Sequence, residues 1–301
     1  MSSGPSSYKI FDVTLKESVA MTPSLQHCVF YSEDVANMAR HAPDQRIKVV
    51  LPLAGGEPPC LVDNGGWYPA WLALPAERRP PMRTYTLRNV RPAQGELDID
   101  FVRNGDNGPA SRWVNHARIG DRLQLIAPNA AFDGNGSGFE WLPPDGVRQV
   151  LLVADETALP AALSILESLS AQASPPQVQA FFEVPLCTDV QALDHYTFAK
   201  IHWLPREEQP HQPYGQSLLA ALQTRLQIPD DAPRTQDEAA QGILRPELEQ
   251  MWESAAPAHS AFYGWIACES SGVKALRRYL IHSCGLQRET LSLMAYWCHS
   301  R

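Results

Sequence analysis

Residues 83–88 read Arg-Thr-Tyr-Thr-Leu-Arg and concentrate side chains that can bind a phosphorylated aromatic ligand. On a strand, alternation places Arg83 and Tyr85 on one face and Thr84 and Thr86 on the other. A guanidinium can bind a phosphate bidentately, a tyrosine ring can pack on a planar heterocycle, and a threonine hydroxyl can hydrogen-bond a ring nitrogen. The segment therefore suits a flavin dinucleotide, although a sheet with exposed arginines and one core tyrosine explains the same pattern.

A glycine-rich turn after the predicted strand 96–103 is the next segment with chemical potential. Pro109 follows its last glycine and opens a predicted helix. Because the first amides of a helix have no acceptor within the helix, such a turn can bind a pyrophosphate. The positions of interest on the strand, in the turn and at the helix start are Asp100, Val102, Asn104, Gly108, Ala110 and Ser111.

Composition limits the classes of partner and of site. A net charge of -8 and a pI near 5.6 disfavour nucleic acid and a stable association with anionic membrane, so the ligand should be small. Residues 1–8 do not resemble a secretory signal, and no apolar run has the roughly 20 residues of a membrane helix. The six cysteines form no CxxC pair, which argues against a resident zinc or iron–sulfur site. We expect a cytoplasmic protein with reduced thiols and no bound metal.

Hydrophobic patterning indicates two domains of different class. Short alternating segments at 46–53, 82–90, 96–103 and 122–127 predict an N-terminal antiparallel β-barrel. After a glycine- and proline-rich loop, apolar strands at 149–154, 178–184, 200–204 and 261–267 alternate with helices at 158–171, 217–226 and 272–282. This order predicts a C-terminal α/β domain with a doubly wound parallel sheet, and residues 246–254 predict a short peripheral helix. The predicted division is 1–131 for the barrel, 132–148 for a linker and 149–301 for the α/β domain.

Several segments in this order resemble the siderophore-interacting proteins, relatives of the ferredoxin–NADP reductases. They are RTYTLR, DFVRNGDNGPASRW, GDRLQLIAP, VADETALPA, FYGWIACESSGVKALRRY and AYW. The resemblance spans residues 47–297 and implies an FAD-binding barrel and an NAD(P)-binding-like domain. It also implies reduction of a ferric siderophore or other ferric chelate in the cytoplasm, with NADPH, NADH or a ferredoxin as electron donor. We expect the chain to be a monomer.

The resemblance also implies roles for individual residues. Arg83 would bind the FAD pyrophosphate, Tyr85 would stack on the isoalloxazine, and Thr86, with Thr84 beside it, would contact the redox-active edge. The phosphate and adenosine end would be lined by Asp100, Val102, Asn104, Gly108, Ala110 and Ser111. Asn104 stands where the family usually carries histidine, and an amide cannot titrate near neutral pH.

In the second half, the resemblance implies a site for a nicotinamide dinucleotide. Thr157 would contact a phosphate, or it caps a helix. Arg206 would pair with the ribose 2′-phosphate of NADPH, or it is an exposed surface arginine. Cys268 and Glu269 would lie near the point where nicotinamide meets flavin. Cys268 replaces a glycine of the family and is as well explained as a small filler.

Three basic residues are candidates for substrate binding. Lys48 lies on an early strand, and His299 and Arg301 end the chain. Together they could form a cationic rim for anionic ferric chelates, or they are a surface lysine and a frayed tail. Two other functions stay open: a general NAD(P)H–flavin oxidoreductase with a non-iron acceptor, and a non-catalytic protein that binds a ferric chelate.

Overall fold

The computed structural model describes residues 5–63, 66–235, 251–256 and 259–299. It divides the chain into two compact units, Met1–Phe139 and Glu140–Arg301. The predicted linker, 132–148, contains the position at which they divide. Each unit is built around its own sheet.

The first unit contains a seven-stranded sheet in which all neighbouring strands are antiparallel. Its order is β4-β3-β7-β1-β2-β6-β5. In chain order the elements are β1 (Tyr8–Thr22), β2 (Leu25–Tyr31), β3 (Arg46–Val50), α1 (Trp67–Leu72), β4 (Met82–Thr86), β5 (Asn89–Arg91), β6 (Glu96–Val102), α2 (Pro109–His116) and β7 (Arg122–Pro128).

The two edges of this sheet are joined by one short segment. Strands β4 and β5 lie at opposite ends of the strand order, yet only Leu87 and Arg88 separate them in sequence. The amide of Leu87 donates to Gln45 O on one side at 2.8 Å, and the amide of Arg88 donates to Asp98 O on the other at 2.9 Å. The antiparallel sheet therefore curves round a core, into which alternate side chains such as Phe11 and Val13 point.

The second unit contains a six-stranded mixed sheet of order β10-β9-β8-β12-β13-β11. The first five strands in this order run parallel to one another, and the edge strand β11 pairs antiparallel with β13. In chain order the elements are β8 (Gln149–Ala154), α3 (Leu159–Ser170), β9 (Gln177–Val184), β10 (Ala199–Pro205), α4 (Gln216–Arg225), β11 (Trp252–Glu253), β12 (Phe262–Glu269), α5 (Ser270–Arg278), a π-helical turn (Tyr279–Ser283) and β13 (Leu291–Trp297).

The prediction of a purely parallel sheet is wrong at one edge, where β11 is antiparallel to its neighbour. Of the predicted helix 246–254, the first five residues lie outside the described part of the chain, and Trp252–Glu253 form β11. Trp252 pairs with Met294, its ring stacks on Tyr296 at 5.9 Å, and its indole N–H donates to Glu140 at 2.8 Å. These cross-strand contacts outweigh the helical periodicity of the segment.

Helices α4 and α5 pack on one face of the second sheet through buried aliphatic side chains. The start of α4 approaches α5 at two glycines, Gly215 and Gly272. A Cβ at Gly215 would lie 2.6 Å from the Cα of Gly272, and Gly215 has φ 78°. Both the backbone conformation and the close approach therefore require glycine here.

Substitution Gly215→Ala should destabilise the protein by about 3 kcal/mol, because it combines a left-handed alanine with a clash against backbone. Gly285→Ala is the matched control: Gly285 also has positive φ, 70°, but a Cβ added there would have no neighbour within 4 Å. We expect it to cost about 1 kcal/mol. Differential scanning calorimetry would compare the two melting temperatures, and equal losses would contradict the close-approach argument.

Candidate functional site

Arg83 and Tyr85 lie on the same face of strand β4; the side chain of Arg83 is exposed, whereas Tyr85 packs on the core of the first unit. In the described chain, the side chain of Arg83 has one hydrogen bond, to the carbonyl of its neighbour Met82 at 2.8 Å. Its other guanidinium donors are therefore available to a ligand in solvent. Thr84 is exposed on the opposite face, and Thr86, on that same face, is only 4% exposed.

An aromatic cluster links β4 to the glycine-rich turn. The ring of Tyr85 lies 4.6 Å from that of Phe101 on β6, and Phe101 lies 5.6 Å from Trp113 on α2. Phe30 on β2 stacks on Trp113 at 6.1 Å. Burial raises the pKa of the Tyr85 hydroxyl, so the side chain stays neutral. The cluster fixes the start of α2 relative to the residues of β4.

Side-chain hydrogen bonds fix the conformation of the turn before α2. The Ser111 hydroxyl donates to the backbone carbonyl of Val102 at 3.2 Å and accepts from the backbone N–H of Asn104 at 3.3 Å. Asn115 donates to Gly105 O at 2.8 Å. Gly108 has φ 84°, and a Cβ added there would meet nothing within 4 Å, so the space beside the residue that precedes α2 is open. This space suits an anion that approaches the backbone closely.

Asp100 is tied to protein donors on both of its oxygens. Only 1% of it is exposed; one oxygen lies 2.8 Å from Arg88 Nε and the other 2.6 Å from His27 Nδ1. The hydrogen bond to Asp100 raises the pKa of His27. Asp100 therefore joins β2, β6 and the two-residue link between β4 and β5. Its predicted contact with the adenosine end of a cofactor stays a prediction.

Lys48 lies next to the predicted cofactor residues. It is half-buried on β3, pairs across the sheet with Thr84, and donates to the Thr84 hydroxyl at 2.8 Å. Burial, and then the charge of Arg46, lower its pKa. The first unit thus brings one predicted substrate residue beside the strand of Arg83 and Tyr85.

These features fit a flavin dinucleotide. Arg83 and the open amides of α2 suit its diphosphate, and Tyr85 lies two residues from Arg83 on the same face. Thr86 fits less well as an edge ligand, because it is buried on the other face.

In the second unit, acidic side chains gather at the carboxyl ends of the parallel strands. Asp155, directly after β8, is 1% exposed and accepts from Thr157 N at 2.9 Å, Thr157 Oγ1 at 2.5 Å and Trp297 Nε1 at 2.7 Å. Burial, and then the charge of Glu156, raise its pKa. Thr157 thus donates its hydrogen bonds to Asp155. Trp297, at the end of β13, is hydrogen-bonded to the turn after β8 through the same carboxylate.

Arg206, directly after β10, is held by two carboxylates. Its two terminal nitrogens lie 2.6 and 2.5 Å from the two oxygens of Glu156, and one of them lies 3.3 Å from Glu183. Its guanidinium also lies 4.9 Å from the Tyr214 ring centre. The description of Arg206 as an exposed surface arginine is therefore wrong, since its side chain is 19% exposed.

Cys268 and Glu269 end β12. Cys268 is 1% exposed and burial raises the pKa of its thiol well above the usual range, as expected of a small filler. Glu269 caps α5 by accepting from Ser271 N at 2.6 Å, and it also accepts from His299 N at 3.1 Å. The His299 ring contacts Tyr214 at 5.1 Å. Arg301 lies outside the described residues, and the joint role of Lys48, His299 and Arg301 stays a prediction.

Sequence reasoning missed residues that organise both candidate sites. Glu183 was signalled by its position between the apolar residues Phe182 and Val184 in β9, and Trp297 by the aromatic segment Tyr296–Trp297. His27 carried no local signal, because its partner Asp100 is contributed by another strand. The missed residues are His27, Arg88, Glu183, Tyr214 and Trp297.

The described residues lack the features of two other classes of site. They contain no group of three or more His, Cys, Asp or Glu side chains arranged to hold a metal ion. They also contain no helix with the length and apolar character needed to cross a bilayer. All six cysteines are free thiols.

Comparison with known proteins gives consistent matches to both halves of the chain. Residues 14–132 match the siderophore-interacting FAD-binding domain, and residues 147–300 match the siderophore-interacting protein family. The ferric acinetobactin reductase of Acinetobacter baumannii is 26% identical over 226 residues, which are 75% of this chain and 64% of that protein. The chain therefore aligns with less than two thirds of the length of that relative.

Two further relatives are informative. The NADPH-dependent ferric-chelate reductase of Escherichia coli K12 is 28% identical over 73% of this chain and 78% of its own length. The crystal structure of a siderophore utilization protein from T. fusca superposes with a TM-score of 0.72 and 23% identity, covering 98% of this chain and 95% of that one. This likeness establishes the fold.

The contact between His27 and Asp100 predicts a measurable pH dependence. His27 should titrate above pH 6.5 by NMR, and Asp100→Asn should lower its pKa. Since the folded-state pKa is the higher one, this contact stabilises the protein fully below about pH 6.5, and the contribution is lost as pH rises through the folded pKa. Asp106→Asn, at an exposed acid that does not contact His27, is the control. A His27 pKa unchanged by Asp100→Asn would contradict the assignment.

Proposed function

Because the chain belongs to the siderophore-interacting protein family, we propose that it is an FAD-dependent reductase of ferric siderophores or related ferric chelates. The proposal extends to this chain the activity for which its relatives are named. The match of residues 14–132 to the siderophore-interacting FAD-binding domain supports FAD as the cofactor.

The observation that carries the proposal is the aromatic cluster of Tyr85, Phe101 and Trp113. It links the strand that carries Arg83 to the helix that begins beside the open space at Gly108. The predicted phosphate ligands and the predicted flavin-stacking ring thus belong to one packed assembly. A sheet that merely exposed an arginine would not need the turn before α2 to be fixed by Ser111 and Asn115.

Bound FAD would supply the electron chemistry, since it couples a two-electron donor to a one-electron acceptor. The protein's own task is to bind and orient: Arg83 and the α2 amides hold negative phosphate charge, and Tyr85 offers an aromatic face. Lys48 offers a positive charge to an anionic ferric chelate. Iron(III) prefers hard anionic oxygen ligands more strongly than iron(II) does, so reduction weakens the complex and releases the metal.

A nicotinamide dinucleotide, NADPH or NADH, is the proposed electron donor. The parallel strand order β10-β9-β8-β12-β13 supports a doubly wound arrangement, in which ligands bind at the carboxyl ends of the strands. Thr157, Arg206, Cys268 and Glu269 all lie at those ends. A ferredoxin is the alternative donor, and the cytoplasmic location and the monomeric state stay predictions.

Substitution Arg83→Ala should weaken FAD binding about ten- to a hundredfold, because it removes the cation proposed to hold the diphosphate. Arg78→Ala, at another exposed arginine of the first unit, should leave the affinity unchanged. Fluorescence titration of apoprotein with FAD would measure both dissociation constants. Equal affinity in the two variants would contradict the role of Arg83.

Substitution Lys48→Ala should raise KM for an anionic ferric chelate about threefold at low salt, with FAD content unchanged. The difference should shrink as ionic strength rises, because salt screens the attraction. Lys200→Ala, at an exposed lysine of the second unit, removes the same charge as a control. Anaerobic assays with a ferrous-specific dye would give KM, and identical values for both variants would remove Lys48 from the substrate site.

Protein that takes up FAD but reduces no ferric chelate would be a general flavin oxidoreductase with another acceptor. Protein that binds ferric chelate but no FAD would be a non-catalytic carrier. Either result would overturn the proposed function.

A further inference from the structure

Arg206 is the natural candidate to recognise the 2′-phosphate that distinguishes NADPH from NADH, yet its charge is already paired. Both terminal nitrogens donate to Glu156, at 2.6 and 2.5 Å, and one also reaches Glu183 at 3.3 Å. The side chains are 19%, 11% and 1% exposed for Arg206, Glu156 and Glu183. The guanidinium is therefore directed at protein carboxylates in a largely buried cluster.

The position of this cluster matches the ribose end of a dinucleotide site. Strand β8 lies between β9 on one side and β12 on the other, so the chain changes direction across the sheet beside β8. Ligands of such sheets bind at the carboxyl ends of the strands, at this point of reversal. Glu156 follows β8 and Arg206 follows β10, both at carboxyl ends.

The balance of charge in the cluster opposes a second phosphate. Two glutamates face one guanidinium, and Asp155 adds a further carboxyl group beside Glu156. At the edge of the guanidinium that Glu156 occupies, a 2′-phosphate would have to displace Glu156 and leave a buried carboxylate without its cation, which is costly. At the remaining N–H donors it would meet a cation whose charge two glutamates already compensate. A ribose 2′-hydroxyl has no such conflict, since it can donate to a carboxylate oxygen.

We propose that Glu156 is the specificity-determining residue for the electron donor: by holding Arg206, it makes this chain use NADH at least as well as NADPH. This inference rests on the proposed function and names its donor. Glu156 acts through Arg206, so removal of its charge should release the guanidinium to a 2′-phosphate.

The direct test measures binding of NAD⁺ and NADP⁺, with 5′-AMP and 2′,5′-ADP as fragments, by isothermal titration calorimetry. Wild-type protein should bind NAD⁺ at least as tightly as NADP⁺. Substitution Glu156→Gln should tighten binding of NADP⁺ and 2′,5′-ADP about tenfold, with little change for NAD⁺ and 5′-AMP. The double variant Glu156→Gln with Arg206→Ala should lose this gain.

Glu208→Gln is the matched control, because it removes one negative charge two residues beyond Arg206 without contacting it. An equal gain in Glu208→Gln, or none in Glu156→Gln, would overturn the proposal. So would tighter binding of NADP⁺ than of NAD⁺ by the wild-type protein, a measurement that needs no variant. If no dinucleotide binds, this inference fails, whereas reduction of ferric chelate by FAD-loaded protein with a reduced ferredoxin would leave the proposed function intact.

Discussion

The packing of Tyr85 and Trp113 against Phe101 is the interaction on which the candidate cofactor site depends. Phe101 is fully buried in the core of the first unit, so its two aromatic neighbours take their positions from the core. Through Tyr85 it positions β4, and through Trp113 it positions α2. Loss of this packing would separate the guanidinium of Arg83 from the amides that the site pairs with it. Close-packed aromatic contacts of this kind resist displacement, so the site is formed before any ligand binds.

The second unit depends instead on paired charge. Buried carboxylates are costly unless hydrogen bonds and cations compensate them, and each acid at the carboxyl ends of the strands has such partners. Asp155 has Thr157 and Trp297, and Glu183 has Arg206 and the amide of Gly215. Gly215 thus makes two contacts: it approaches Gly272 of α5 closely, and its amide donates to Glu183. The same hydrogen bonds and ion pairs that stabilise the carboxyl ends of the strands limit which nicotinamide dinucleotide fits there.

The local sequence pattern correctly predicted strands and helices whose position depends on their own residues. Strand β8 occupies 149–154 as predicted, because an apolar run covered on both faces has few alternatives. The helix predicted at Pro109 begins there as α2, since proline and the preceding glycine mark a helix start. The alternation of Phe11, Val13 and Leu15 in β1 carried the same kind of signal and would have extended the barrel prediction to the N-terminus.

What local pattern could not provide were contacts between distant segments. The pairing of His27 with Asp100 follows from the register of β2 on β6, and β11 forms only because β13 offers Trp252 a partner. Arg206 was found from its place after a strand, but its engagement by Glu156 and Glu183 depends on the order of three strands.

If FAD held by this chain passes electrons to chelated iron(III), an anaerobic spectroscopic titration will show it most directly. The FAD-loaded protein is reduced photochemically and then titrated with a ferric siderophore while the flavin absorbance and a ferrous-specific dye are followed together. We predict that the oxidised flavin spectrum returns with about two iron(II) formed per flavin, because the flavin carries two electrons and each iron takes one. A flavin that stays reduced in excess ferric chelate would contradict it.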